Sequence, residues 1–275
     1  MMKRFYQVVF LDSIAAMEGC MAPAGNGGRS PRFKALTALL SAALLLTVLN
    51  FVVLSGRFQN AASSWLWDLA IGLPDGAPKD LMLGASPLYR HAAWTFGCLF
   101  CYFLVPAAIV RHVFREPLSA YGLTGRGFVG HLPLYLALLA PVLVAVVAVS
   151  YTPSFQATYP FYRNPQGLAD LLGWECLYAT QFFALEFFFR GFLLHATKER
   201  LGMLAVPAML IPYVMIHYTK PAPEAFGAVV AGTVLGVLSL RTGTIWGGVF
   251  VHAAVAVSMD VASLVQKGGL PPAGG

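Results

Sequence analysis

The sequence predicts an all-α, polytopic transmembrane bundle of about seven segments with one interfacial helix. Three observations predict it. Charged residues make up 11% of the chain and hydrophobic ones 58%, with a mean hydropathy of +0.69, whereas a soluble domain carries about 25% charged residues. Apolar runs of spanning length recur along the chain. The basic residues favour the connections on one side of those runs, as they do in loops on the cytoplasmic side of a bilayer. These loops account for the net charge of +6, which therefore does not point to nucleic acid.

Residues 1–34 read as a cytoplasmic N-terminal tail. It opens on a basic MKRF, but Asp12 and Glu18 interrupt the apolar run that follows, so no signal peptide is read there. Arg29, Arg32 and Lys34 form a basic anchor before the first span. The transmembrane domain covers 35–265, with apolar segments at 35–55, 91–111, 131–151, 167–195, 201–219, 226–241 and 244–265. Residues 61–74 are too short to span, and Trp65 and Trp67 beside Asp68 suit the headgroup level. Clusters of Gly, Pro, Asp, Tyr and Asn at 73–87 and 152–166 predict exposed loops, the second either a lid or, the favoured reading, an interfacial anchor. Residues 266–275 form a C-terminal tail. With the N-terminus inside, eleven Lys and Arg residues fall on the cytoplasmic side against six outside, with Arg190 inside a segment. The expected location is a bacterial inner membrane.

Two small-residue patterns read as packing. Cys98 and Cys101 form a CxxC inside an apolar helix with no second pair, so they count as small hydrophobes. Gly232 and Gly236, with Ala228 one turn earlier, permit close approach of helix backbones.

The chemistry-bearing residues lie in the last four segments, 167–265. Ionisable groups inside a membrane segment are costly and mark functional sites by default. Glu186 and Arg190 are four residues apart, so they lie on one helix face about 40° apart. They are either a structural ion pair or part of a site. Glu175, three turns before Glu186, shares its face with Tyr178 and Phe182, and either extends a polar track or packs between helices. His217 follows Tyr213 in a YxxxH pattern, and His252 follows the Gly247–Gly248 pair. Asp260 is eight residues further, about 80° round the same helix. It either approaches the site one level away or sits near the outer interface.

These residue types suit the hydrolysis of a peptide bond. A carboxylate takes a proton from water, and a histidine holds that water or donates to the developing oxyanion. No GxSxG or HExxH motif supports a serine or zincin mechanism. No cofactor is expected; a zinc ion on Glu186, His217 and His252 is chemically compatible but not required.

On these motifs the chain resembles the CPBP intramembrane endopeptidases, which include CAAX prenyl-proteases and bacteriocin-processing Abi proteins. The family pattern is EExxxR, FxxxH and HxxxN on separate helices. Glu186 matches the second glutamate and Arg190 the arginine, followed by the usual Gly191; Tyr213 to His217 matches the second motif with Tyr for Phe; and His252 matches the third. RTGTIWGGVFVHA resembles the family's run into that last helix. The resemblance implies a helical membrane domain with a water-filled cavity, cleavage of a membrane-associated protein or peptide near the membrane surface, and a glutamate-activated water. It assigns catalytic roles to Glu186, Arg190, His217 and His252; helix spacing, apart from the resemblance, adds Asp260 and Glu175 as accessory positions.

Two positions depart from the pattern. Leu185 stands where the family keeps its first glutamate, to which the catalytic base is generally assigned, and Ala256 stands in place of the asparagine. Glu186 must then serve as base, with Asp260 or another polar group in place of the asparagine. These departures are compatible with a divergent branch such as the sortase-like proteases. They also keep a second function open, a non-catalytic membrane protein that binds a partner or hydrophobic peptide. A transporter is the third, weakened by the absence of repeated halves. One tension accompanies the enzyme reading: the segment limits place Glu186 toward the inner side and His217 toward the outer.

Overall fold

The computed structural model describes residues 29–71, 86–163 and 165–269. Among them every regular element is helical. Six helical stretches are long and apolar enough to cross a membrane. The predicted bundle is therefore present, with six candidate spans where the sequence suggested about seven.

Helix α1 (Pro31–Val53) begins at Ser30, whose hydroxyl accepts from the amide of Phe33, and ends in a π-helical turn. α2 (Gly56–Ile71) follows after a tight turn and exposes Trp65, as the interfacial reading expected. The predicted loop at 73–87 lies outside the described residues, apart from 86 and 87 at the start of the next helix. α3 (Leu88–Phe114) carries two π-helical turns, one on each side of Pro106. A proline lacks the amide that a regular ladder needs at that point, and a shift of register accommodates it. α3 ends at Arg115, which adopts a left-handed conformation. Cys98 and Cys101 are buried in the core as free thiols, consistent with packing.

α4 (Phe128–Val149) packs on the last helix, and a short α5 (Pro153–Thr158), capped by Thr152, starts the 152–166 connection. That connection is tied down. Asp260 accepts from the Phe161 amide, Ser263 donates to the Tyr159 carbonyl, Tyr159 donates to Glu224, and Tyr162 donates to Asp170.

The central element is α6, built of Leu168–Glu186, a π-helical turn Phe187–Leu193 and Leu194–Leu201. A 3₁₀ turn (Gly202–Leu204) joins it to α7 (Ala205–Met215). The predicted segments 167–195 and 201–219 are thus the limbs of one helical hairpin. At 1.5 Å per residue, α7 is only about 16 Å long, too short to span alone. Phe187, Phe188, Phe189, Arg190 and Phe192 are wholly inaccessible. Gly191 is required for this packing, because a Cβ there would lie 2.8 Å from the carbonyl oxygen of Tyr121.

α8 (Ala222–Thr242) and α9 (Trp246–Gln266) close the fold. Gly243, with φ +68°, caps α8, and the turn is anchored by Thr244 donating to the Thr124 carbonyl and by the Ile245 amide bonding to Gly122. The GxxxG works as predicted: Cβ atoms at Gly232 and Gly236 would press on Tyr213, Leu210 and Met209, so their absence lets α8 lie close against α7.

Candidate active site

Glu186 closes the regular α-helical part of α6, and the π-helical turn begins at the next residue. Such turns inside α-helices occur frequently at functional sites. The Glu186 side chain is wholly buried. Its Oε1 is held from two directions, by Nη1 of Arg190 at 3.0 Å and by Nδ1 of His252 at 2.9 Å. A carboxylate only accepts, so Nδ1 of His252 carries the proton in this contact and its Nε2 faces away from Glu186. Oε2 of Glu186 and Nε and Nη2 of Arg190 are buried without a hydrogen-bond partner. Gly248, one turn before His252, leaves room for Oε2, since a Cβ at that position would overlap it. Gly248 therefore lets α9 approach the carboxylate, while Gly247 makes room for the Tyr135 ring of α4.

Tyr213 joins the remaining groups. Its ring lies under the Arg190 guanidinium, 3.9 Å from centroid to Cζ, a contact of the cation–π type. The same ring is 4.8 Å from the His217 ring and 6.4 Å from the His252 ring. His217 spends its Nδ1 on the Tyr213 carbonyl at 2.8 Å, which leaves its Nε2 as the outward nitrogen. Burial pushes the His217 imidazole down to about 4, so it is neutral near pH 7. Phe182 covers His252 at 4.4 Å. His252 retains some accessibility, with 16% of its side chain exposed against none for Glu186.

The hairpin removes the depth conflict between Glu186 and His217. α6 continues about 22 Å beyond Glu186 before it turns at Gly202, and the chain from Ala205 to His217 returns about 18 Å. The Phe189 and Tyr213 rings consequently meet across the hairpin at 5.3 Å.

The two accessory positions do not join this group directly. Asp260 is inaccessible, and its two oxygens accept from the Phe161 amide at 3.0 Å and from Trp174 Nε1 at 2.8 Å. It therefore holds the 152–166 connection to α6, and it does not substitute for an asparagine beside Glu186. Glu175 has both carboxylate oxygens buried without a hydrogen-bond partner, on the Asp260 level of the bundle. Leu185 is buried in the main hydrophobic cluster, and Ala256 packs among Tyr162, Trp174 and Tyr178.

Glu186, His217 and His252 do not converge as a ligand set. The Nδ1 atoms of the two histidines are taken by Tyr213 and Glu186, and among the described residues no three His, Cys, Asp or Glu side chains are grouped to hold a metal ion.

Residues 167–258 match the family model described as type II CAAX prenyl endopeptidase Rce1-like. That stretch is similar to this family. This supports the CPBP resemblance read from the motifs, over about a third of the chain. The Rce1-like segment contains Glu175, Glu186, Arg190, His217 and His252 and ends before Asp260. No curated protein and no solved structure gives a significant match.

Sequence patterns alone do not reveal four contributors. Tyr213 was read only as a motif position, although its place one turn before His217 marks it as a neighbour of that ring. Gly248 was noted only as half of a Gly pair, and its spacing of one turn from His252 was the available signal. Ser239 and His195 were not singled out, and their pairing joins residues far apart in the chain.

Proposed function

We propose that the chain is an intramembrane endopeptidase that hydrolyses a peptide bond of a membrane-associated protein or peptide. Glu186 takes a proton from a water molecule whose oxygen attacks the scissile carbonyl. His217, neutral with its proton on Nδ1, holds that water by accepting at Nε2, His252 stays bonded to the carboxylate through Nδ1, and the proton on Glu186 passes to the leaving amine as the C–N bond breaks. Arg190 holds Glu186 as one half of a buried ion pair. The observation that carries this reading is the division of labour on one carboxylate: Oε1 is fixed by Arg190 and His252, while Oε2 is left without a partner.

The family description makes a prenylated CAAX-terminated peptide the first substrate to try. The purified protein in proteoliposomes, given a quenched fluorescent peptide of that type, should release the fluorophore, and Glu186→Gln should not. In cells, the C-termini of membrane-anchored proteins should differ between the wild type and Glu186→Gln. Full activity in Glu186→Gln would remove Glu186 as the base. Unchanged termini together with an intact peptide would remove the enzyme reading.

A second reading is a non-catalytic protein that binds a hydrophobic peptide in the same region. Two observations favour it: Glu186 is completely inaccessible, and Leu185 occupies the first glutamate position within the packed core. Physiological function retained after joint replacement of His217 and His252 would select it.

A further inference from the structure

A second line of buried polar groups reaches the proposed site from the other limb of α6. The hydroxyl of Ser239, on α8, donates to the carbonyl oxygen of Arg190 at 3.1 Å. Nε2 of His195 lies 3.4 Å from Ser239 Oγ, and Nζ of Lys198 lies 3.0 Å from His195 Nδ1. An ammonium group only donates, so with Lys198 donating to Nδ1 the proton of His195 sits on Nε2, within reach of Ser239, and the Ala120 carbonyl lies beside the same ring as a second acceptor. Ser239 donates its own hydrogen to the Arg190 carbonyl. His195 and Ser239 are 5% and 2% exposed, so no solvent competes for these contacts.

The place where this line ends matters. The Arg190 carbonyl belongs to the π-helical turn Phe187–Leu193, between two α-helical stretches. Backbone pairing changes register within such a turn, so the plane of a peptide there depends on outside contacts more than in a regular helix. The peptide joining Arg190 to Gly191 is held on one side by Ser239. On another side the Tyr121 carbonyl lies so near Gly191 that no side chain fits between them. Its orientation sets the direction of the Arg190 side chain, whose Nη1 fixes Oε1 of Glu186, which in turn holds His252. Ser239 also lines one narrow crevice together with Glu186, Arg190, Thr244 and Gly248.

We infer that Ser239 and His195 are positioning residues for the hydrolysis, acting through the Arg190 peptide on the Glu186–His252 contact. The inference rests on the endopeptidase reading for its effect on rate, but the coupling of Ser239 to His252 is a separate, physical claim. It predicts that removing one hydroxyl on α8 disturbs an imidazole on α9 that it does not touch.

The test uses the full chain in nanodiscs with 15N-labelled histidine, the His252 ring signals being assigned by their loss in His252→Asn. Ser239→Ala removes the hydroxyl and adds no volume. It should shift or broaden the His252 ring signals and lower kcat on the prenylated peptide about 10- to 100-fold with KM little changed, as expected for a small misplacement of reacting groups. His195→Gln, which keeps a donor near Nε2, should resemble the wild type in both readouts, and His195→Leu should resemble Ser239→Ala. Unchanged His252 signals and kcat in Ser239→Ala, or equal behaviour of His195→Gln and His195→Leu, would overturn the inference. If the wild type leaves the peptide intact, the endopeptidase reading fails while the His252 signals still decide the coupling.

Discussion

Nδ1 of His252 lies 2.9 Å from Oε1 of Glu186, across 66 positions of sequence. This contact joins α6 to α9 and shares one oxygen with the Arg190 guanidinium. Because the carboxylate accepts at Nδ1, Nε2 is the ring nitrogen left for another partner. The consequences that follow are all measurable.

Glu186→Gln keeps the size of the side chain and removes its capacity as a base. The expected outcome is a fall in kcat of about 10²- to 10⁴-fold, the usual contribution of a positioned acid–base group, read as peptide release from proteoliposomes, with protein yield maintained.

Arg190→Ala leaves Glu186 as a buried carboxylate without its guanidinium. Breaking a buried ion pair from one side costs about 3–5 kcal/mol, so a large fall in the thermal unfolding midpoint in detergent is expected. Combining Arg190→Met with Glu186→Gln should recover much of that loss, and a thermodynamic cycle over the variants measures the coupling. Arg190→Lys should not rescue activity, because a lysine ammonium lacks the planar fork that lies over Tyr213.

Gly248→Ala places a Cβ on Oε2 of Glu186. Either the carboxylate or α9 must shift, so cleavage should be lost while the protein still inserts and purifies as a single species. Wild-type kcat in this variant would show that the close approach is dispensable.

Tyr213→Phe retains the ring beneath Arg190 and beside His217, and should keep activity and stability close to the wild type. Tyr213→Ala removes that ring and leaves a gap among Phe189, Arg190 and His217, and should cost about 3–5 kcal/mol of stability together with activity. Thermal unfolding and peptide release read the two effects separately.

His217 gives a pH signature. Burial lowers it to about 4 in the folded chain, against its ordinary value of 6.5. Between those values the unfolded chain takes up a proton that the folded chain does not. Stability is therefore fully present above about pH 6.5 and declines as the pH falls toward 4. His217→Gln should flatten this part of the stability profile, as measured by unfolding in buffered detergent. The neutral ring should also keep peptide release from falling until the pH approaches 4.

Much of this arrangement was legible in the chain. Low charge and long apolar runs dictate a helical membrane bundle, because a bilayer forces backbone groups to satisfy one another within each segment. Glu186 and Arg190 pair because a spacing of four residues places them on one helix face, which is local geometry. The histidines stood out because polar side chains are rare in such segments. The loop at 152–166 was recognisable by composition, but its attachment through Asp260, Asp170 and Glu224 was not, because those contacts join separate helices.

Composition and periodicity by themselves determined the membrane bundle, the Glu186–Arg190 pair and the four residues worth suspecting. The tertiary structure decided how they meet. It merged two predicted segments into one hairpin, which brings Tyr213 back to the level of Arg190. It turned His252 onto Glu186, and assigned Asp260 to the loop above. The physical reason is range: helix spacing and hydropathy act over a few residues. The site depends on contacts between α6, α7, α8 and α9, whose close approach is set by glycines at 232 and 248 whose neighbours no local pattern reveals.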